Sequence, residues 1–297
     1  MALIYNAKFD KNTRKLSFED KAGNEIYSFT VPERAPAVDD ITKPLTFKAT
    51  QDGSTVKLTK TGSPTGDFQT STDGGNTWSD YTIDTSIPLN TGGEVSFRAK
   101  SNRTSSAQSY NNHFSFIMDG KIEAWHNVMS MYRTNDFATY NTVVKSAFSH
   151  LFASCTSLTK APALPATVLA NDCYELMFSD CQSLTKAPEL PATTLVYGCY
   201  SRMFYGCQSL TKAPALPATT LADRCYNIMF SGCRSLKEVR ISATTTATDA
   251  LTDWLSGVST TGDFYCDPNA TIFPTGSVSG IPENWRRLNI ADYPVTP

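Results

Sequence analysis

The chain has 297 residues and a formal net charge of −2, with 40% hydrophobic and 11% aromatic residues. That is enough apolar material for real cores, for two domains or so plus a small module, and it excludes wholesale disorder. The near-neutral balance, with no Lys/Arg run, argues against a nucleic-acid partner, and no stretch approaches the roughly 20 apolar residues that membrane insertion requires.

The N-terminus, MALIYNAKFDKNTRKL, lacks the basic and then apolar segments of an export signal, so the chain reads as one finished in a cytoplasm. LIYNAKFD and RKLSFED alternate apolar and polar residues around KNT, a hairpin pattern, and EIYSFTV follows the turn KAGN. PERAPAVDDITKP, rich in Pro and charge, reads as a linker, so residues 1–43 are expected to form a β anchor and linker. A hairpin module this small is marginal alone and must dock on something else.

Residues 44–122 are expected to form an immunoglobulin-like β-sandwich that acts as a spacer. The strand candidates are PLTFKAT, TVKLTKT, DFQTSTD, EVSFRAKS and HFSFIM. Within this segment Ser71, Asp73, Gly75 and Trp78 fit S-x-D-x-G-x-T-W, which resembles the Asp-box of sialidases. The resemblance implies a tied hairpin turn away from any chemistry. The motif occurs once, without a basic cluster for a sialate carboxylate, so a glycosidase is only a remote alternative.

The cysteines then count out a repeat. Cys155, Cys181, Cys207 and Cys233 are 26 residues apart, and so are Cys173, Cys199 and Cys225. CTSLTKAPALPATVLANDCYELMF, CQSLTKAPELPATTLVYGCYSRMF and CQSLTKAPALPATTLADRCYNIMF are near-identical copies, the pattern of a solenoid. Leu158, Leu184, Leu210 and Leu236 open short extended stretches that should pair in parallel at about 4.8 Å. Pro162, Pro188 and Pro214, with Pro165, Pro191 and Pro217, forbid helix there. The following C-Y-x-x-M-F segments, with apolar residues at helical spacing, predict a short helical or 3₁₀ turn facing inward.

The solenoid is expected over 123–258, with degenerate first and last coils. Ala147 takes the Cys slot in the first coil, and LTDWL at 251–255 closes the array with Trp254 in the place of Ile228. A non-repetitive cap over 259–297, which holds Cys266, should fold across the last coil and hide its strand edge. Stacked cysteines read as buried structural ladders. The sequence has no C-x-x-C and no Cys/His cluster, which argues against a metal site, and side chains pointing the same way from neighbouring coils lack disulfide geometry. His113, His126 and His150 stand in no triad or metal spacing.

The repeat C-x-S-L-T-K-A-P-x-L-P-A-T-T-L-x-x-x-C-Y-x-x-M-F-x-G-C resembles the BspA-like leucine-rich repeats of gut Bacteroidetes surface proteins and of proteins from their phages. The closing G-x-P-x-x-W at Gly280, Pro282 and Trp285 resembles the cap that follows such arrays. The resemblance covers roughly residues 133–297 and implies a leucine-rich-repeat solenoid for adhesion, with no catalytic residues and no cofactor. The expectation is a non-enzymatic phage-particle protein, a head- or tail-fibre-type appendage on the virion surface that contacts a host-surface protein or glycan. Residues 1–43 would contact other virion structural proteins, and the chain would form a homo-oligomer, a dimer or trimer. A bacterial cell-surface adhesin of the same family is the alternative.

Two sets of residues are candidates for binding. Lys160, Lys186 and Lys212 recur at one position and should form a stripe spaced by about 5 Å, either solvated or facing an anion or glycan. Tyr197 and Tyr205 fall at positions that vary between copies and should sit on an outer helical side, able to stack on a sugar or a protein.

Overall fold

The computed structural model describes residues 6–10, 15–19, 22, 25–30, 39–103, 108–277 and 279–294. The chain divides into two units, Met1–Asp39 and Asp40–Pro297. It is mainly β, with several sheets and almost no helix.

In the first unit β1 (Asn6–Asp10), β2 (Lys15–Glu19) and β3 (Glu25–Thr30) form an antiparallel meander in that order. The three strands coincide with the three alternating stretches of the sequence. Phe9 lies opposite Leu16, and Leu16 opposite Phe29, so apolar positions share register. Most of the expected linker, residues 31–38, lies outside the described residues.

The second unit opens with two sheets. The first joins β4 (Thr46–Ala49), β6 (Phe68–Ser71), β7 (Ser79–Tyr81), β9 (Glu94–Ala99) and β11 (Ile122–Trp125). The second joins β5 (Ser54–Thr61), β8 (Ile87–Leu89) and β10 (His113–Asp119). Alternation decides the facing: in β5, Ser54, Val56 and Leu58 are buried while Thr55, Lys57 and Thr59 are half-exposed. Rings from the two sheets meet inside, Phe47 against Phe116 at 4.6 Å and Phe68 against Phe114 at 4.9 Å. The five anticipated strands are present; β7, β8 and β11 were not anticipated.

This two-sheet body does not stand apart from the repeats. Strand β11 pairs antiparallel with β4 and, on its other edge, parallel with β12 (Leu158–Lys160) of the first copy. The boundary expected at residue 123 therefore falls inside a strand. One buried apolar cluster runs from Leu45, beside β4, to Trp285 near the C-terminus. The two-sheet body thus closes the front of the array, as terminal elements of repeat stacks must.

The C-Y-x-x-M-F segments are not helical. In the first copy the amides of Cys173, Glu175, Met177, Ser179 and Cys181 donate to carbonyls three residues back, at 3.1–3.2 Å. The amides between them, from Asp172, Tyr174, Leu176, Phe178 and Asp180, donate to Tyr197, Cys199, Ser201, Met203 and Tyr205 of the next copy, at 2.6–3.0 Å. A helix would spend all of them within the segment. This ribbon of consecutive turns spends every second amide on its neighbour. It needs left-handed backbone at every fourth residue: Asp172, Leu176 and Asp180 have φ of 56°, 56° and 58°.

The ribbon buries Cys173, Tyr174, Met177, Phe178 and Cys181. Their period of four resembles helical spacing, because an α-helix drifts by only about 40° over four residues. Equivalent rings lie over one another. Tyr174, Tyr200 and Tyr226 stack at 5.7 and 6.1 Å, and Phe152, Phe178, Phe204 and Phe230 at 5.3, 5.7 and 5.6 Å. Such ring pairs contribute roughly 0.5–1.5 kcal/mol each beyond the area they bury.

On the opposite side, the expected parallel strands form only at the ends of the array. The third copy makes only isolated bridges to the last, such as Lys212 with Glu238 and Leu216 with Ile241, and the second copy makes none among the described residues. Their prolines have no N–H to give a ladder. The last copy reads EVRI without the proline and forms β13 (Glu238–Arg240).

Loss of that residue shortens the last coil by one. Tyr226, Ile228 and Phe230 donate to Ala250, Thr252 and Trp254, 24 residues ahead instead of 25. Trp254 therefore occupies the slot of Met229, not that of Ile228, whose left-handed position passes to Asp253 at φ 51°. From there its ring closes both aromatic columns, 6.4 Å from Tyr226 and 6.3 Å from Phe230.

The C-terminal segment continues the sheet instead of folding across its edge. Strands β14 (Gly262–Cys266) and β15 (Trp285–Asn289) add in parallel to β13. The G-x-P-x-x-W motif fixes this join. A Cβ at Gly280 would lie 2.2 Å from the Pro274 carbonyl oxygen, and the Trp285 indole donates to Ser259 O at 2.8 Å.

Candidate binding surface

The cysteines are structural in geometry. The Sγ atoms of Cys155, Cys181, Cys207 and Cys233 donate to Phe116, Phe152, Phe178 and Phe204 carbonyls at 3.0–3.1 Å. Each thiol thus ties its copy to the one before it, and Cys155 ties the first copy to β10. All eight cysteines are buried and free. Burial pushes the thiols of Cys173, Cys225 and Cys233 up to about 12, so none is a ready nucleophile. Among the described residues no group of three or more His, Cys, Asp or Glu side chains is placed to hold a metal ion.

The Asp-box sits in the β6–β7 hairpin as a tied turn. Ser71 Oγ donates to Asp73 Oδ1 at 2.6 Å, and Asp73 accepts from the Thr77 amide at 2.9 Å and the Thr77 hydroxyl at 2.6 Å. Those bonds, from Ser71 first, hold its carboxyl well below the usual range. Gly75 N donates to Ser71 Oγ at 2.9 Å, and the Trp78 indole donates to Gly75 O at 3.0 Å. The Arg98 guanidinium lies 4.1 Å from the Trp78 ring. Every polar group of the motif is engaged in the turn.

Two histidines meet where the two-sheet body joins the array. His113 of β10 and His150 of the first coil stack at 4.3 Å and 14°, with Tyr110 edge-on to His150 at 5.1 Å. Burial, and after it the neighbouring His113, lowers the His150 imidazole to about 4. His126 accepts from the Asp40 amide at 3.2 Å.

The three lysines do not form a uniform stripe. Lys160 is half-buried, with Nζ 3.8 Å from the centre of the Trp125 ring. Lys212 pairs with Glu238 at 2.7 Å, and Lys186 makes no ion pair among the described residues. The difference comes from the ends of the array: β11 supplies Trp125 beside the first lysine, and the last copy has Glu238 in the lysine column.

Lys186 and Lys212 instead line a concave hollow of about 460 Å³. Thr185, Thr211 and Glu189 share its wall, and Arg240 and Tyr293 close it. The Arg240 guanidinium lies 4.6 Å from the Tyr293 ring centre, and the Tyr293 hydroxyl donates to Glu238 at 2.6 Å. Sequence reasoning missed Arg240, Glu189, Glu238 and Tyr293. Glu238 was legible as the residue 26 after Lys212, but Tyr293 lies beyond the repeat and carries no periodic signal.

Tyr197 and Tyr205 are exposed on the turn ribbon, at 42% and 41%. Because that side is built of turns, the expected outer helical face does not exist. The varying positions there are mixed, with Ser179 and Ser201 buried. Tyr197 lines a second hollow of about 190 Å³ with Glu175, Arg202 and Arg224; Tyr205 does not. Arg202 reaches Glu175 at 3.7 Å, and burial raises the carboxyls of Glu175 and Asp172. Lys186 and Lys212 therefore belong to one hollow and Tyr197 to another that shares no residue with it, while Lys160 and Tyr205 line neither.

The chain matches no protein-family model, no curated protein and no solved structure.

Proposed function

We propose that the chain is a non-enzymatic adhesion protein whose 26-residue copies form a leucine-rich-repeat solenoid, presented by an immunoglobulin-like β-sandwich. The observation that carries this reading is the division of labour in each copy. Thiols, rings and alternate amides are consumed in joining neighbours, and the polar Lys186–Lys212–Arg240 hollow is left on the outer wall. A regular array that spends its interior on its own stacking offers its outside for contact. Concave solenoid surfaces built this way recognise extended partners.

The resemblance of the repeat to BspA-like arrays supports a fibre-type appendage of a phage particle, contacting a host-surface protein or glycan. The separate small unit Met1–Asp39 suits an anchor that docks on other virion proteins and gathers copies into a homo-oligomer. Several weak contacts then add through avidity.

Labelled protein incubated with intact host cells tests the proposal, alongside antibody labelling of purified particles. The expected result is saturable cell binding and decorated particles. Labelled bacterial envelopes with undecorated particles would move the protein to the cell surface. Turnover of host glycans without stable binding would overturn the adhesive role.

A further inference from the structure

We propose that the hollow between the second, third and last copies binds a carboxylated sugar, of the uronic acid type; this rests on the adhesive reading above. Three cations face it, Lys186, Lys212 and Arg240. Lys212 is neutralised by Glu238 at 2.7 Å. Lys186 and Arg240 make no ion pair among the described residues.

Arg240 is also oriented. Its guanidinium lies over the Tyr293 ring at 4.6 Å, and Tyr293 is itself fixed by its bond to Glu238 and by the Tyr265 ring edge-on at 4.9 Å. A guanidinium held over an aromatic face keeps its in-plane N–H fork for a planar acceptor, which a carboxylate matches in two parallel bonds.

Glu189 narrows the choice. It lines the same hollow without a cation partner among the described residues. Against three cations stand two carboxylates, Glu189 and Glu238, so a polyanion such as nucleic acid gains little and is repelled at Glu189. A ligand that carries one carboxylate and several hydroxyls satisfies both needs. Its carboxylate accepts from Lys186 and Arg240, and its hydroxyls donate to Glu189 and exchange bonds with Thr185 and Thr211. Buried Ala187, Ala213 and Pro214 give an apolar floor for the C–H face of a sugar ring. At about 460 Å³ the hollow falls within the range of small-molecule sites, roughly 300–1,000 Å³.

The test is calorimetry on the full chain with a disaccharide of glucuronic acid and N-acetylglucosamine, its carboxyl-reduced counterpart, and inorganic phosphate. The uronate should bind, and the reduced sugar should bind about ten- to a hundredfold more weakly, the loss of a charge-assisted bond. Arg240→Gln and Lys186→Gln, both at exposed positions, should weaken the uronate to a similar degree and leave thermal unfolding unchanged. Equal binding of the uronate and the reduced sugar would overturn the assignment. So would phosphate binding as tightly as the uronate, or a double variant that binds the uronate like the parent chain. Cell binding measured in parallel separates the two readings: a double variant that still coats host cells as the parent does removes the hollow and keeps adhesion, whereas a parent chain that coats none removes adhesion.

Discussion

Two glycines one coil apart separate backbone strain from contact between copies. Gly206 and Gly232 hold equivalent left-handed positions, with φ of 70° and 78°. Alanine at either must adopt a conformation that costs a residue with a Cβ about 1–2 kcal/mol, partly offset by about 0.4–1 kcal/mol from a stiffer unfolded chain. At Gly232 a Cβ meets nothing closer than 3.5 Å, so Gly232→Ala should cost about 1 kcal/mol. At Gly206 a Cβ would lie 2.3 Å from Asp180 Oδ1 of the preceding copy. Asp180 must shift, and overpacking adds about 1–3 kcal/mol. Gly206→Ala should therefore cost about 2–4 kcal/mol. Asp180→Ala in that background should recover the excess, a coupling of about 1–3 kcal/mol. Urea unfolding followed by the fluorescence of buried Trp254 reads these three variants and Asp180→Ala alone, which completes the cycle. Equal costs at Gly206 and Gly232, or no coupling between positions 180 and 206, would refute the stacking of these copies.

Further predictions concern buried polar groups. The His150 imidazole titrates near 4 in the folded chain against about 6.5 when unfolded, so between those values the unfolded state binds more protons. Stability should rise with pH across that window and fall as the pH drops through it, by about 1–2 kcal/mol once partial solvent screening is allowed for. His150→Leu, which installs the residue that Leu176 places at the equivalent left-handed position, should flatten the urea midpoint against pH; an unchanged slope would contradict the stacked pair. The buried Tyr174 hydroxyl has no hydrogen-bond partner among the described residues, while Phe148 fills the same column one coil earlier. Tyr174→Phe should leave stability unchanged or raise it by up to about 1–3 kcal/mol, whereas a loss would mean the hydroxyl has a partner.

What the sequence made legible follows from what repeats. The 26-residue period gave the buried columns of Cys, Tyr, Met and Phe, since a position that recurs beside itself must tolerate its own copies as neighbours. It also gave the match of Ala147 to the Cys slot, which the bond from the Phe148 amide to Cys173 O places as expected. The turn ribbon was not legible because a period of four over nine residues resembles a helix. The discriminating feature is left-handed backbone, and Leu176, Arg202 and Ile228 adopt it without being glycine, at φ of 56°, 53° and 56°. The slot of Trp254 was missed because the shortening occurs earlier, at the proline absent from EVRI. The binding hollow was half legible: its lysines recur, but Arg240 and Tyr293 are brought to them by the end of the array.

Excision of one whole copy tests most directly whether the copies are interchangeable rungs. Removing residues 181–206 joins Asp180 to Cys207, so Cys207 inherits the place of Cys181 and its bond to Phe152 O, and every column stays in register. The shortened chain should fold, keep the near-ultraviolet circular dichroism of its stacked rings, and unfold cooperatively at a lower urea midpoint, because one nearest-neighbour contact is lost. A chain that exposes its thiols to a modifying reagent in native buffer, or that loses its aromatic signal, would contradict the account.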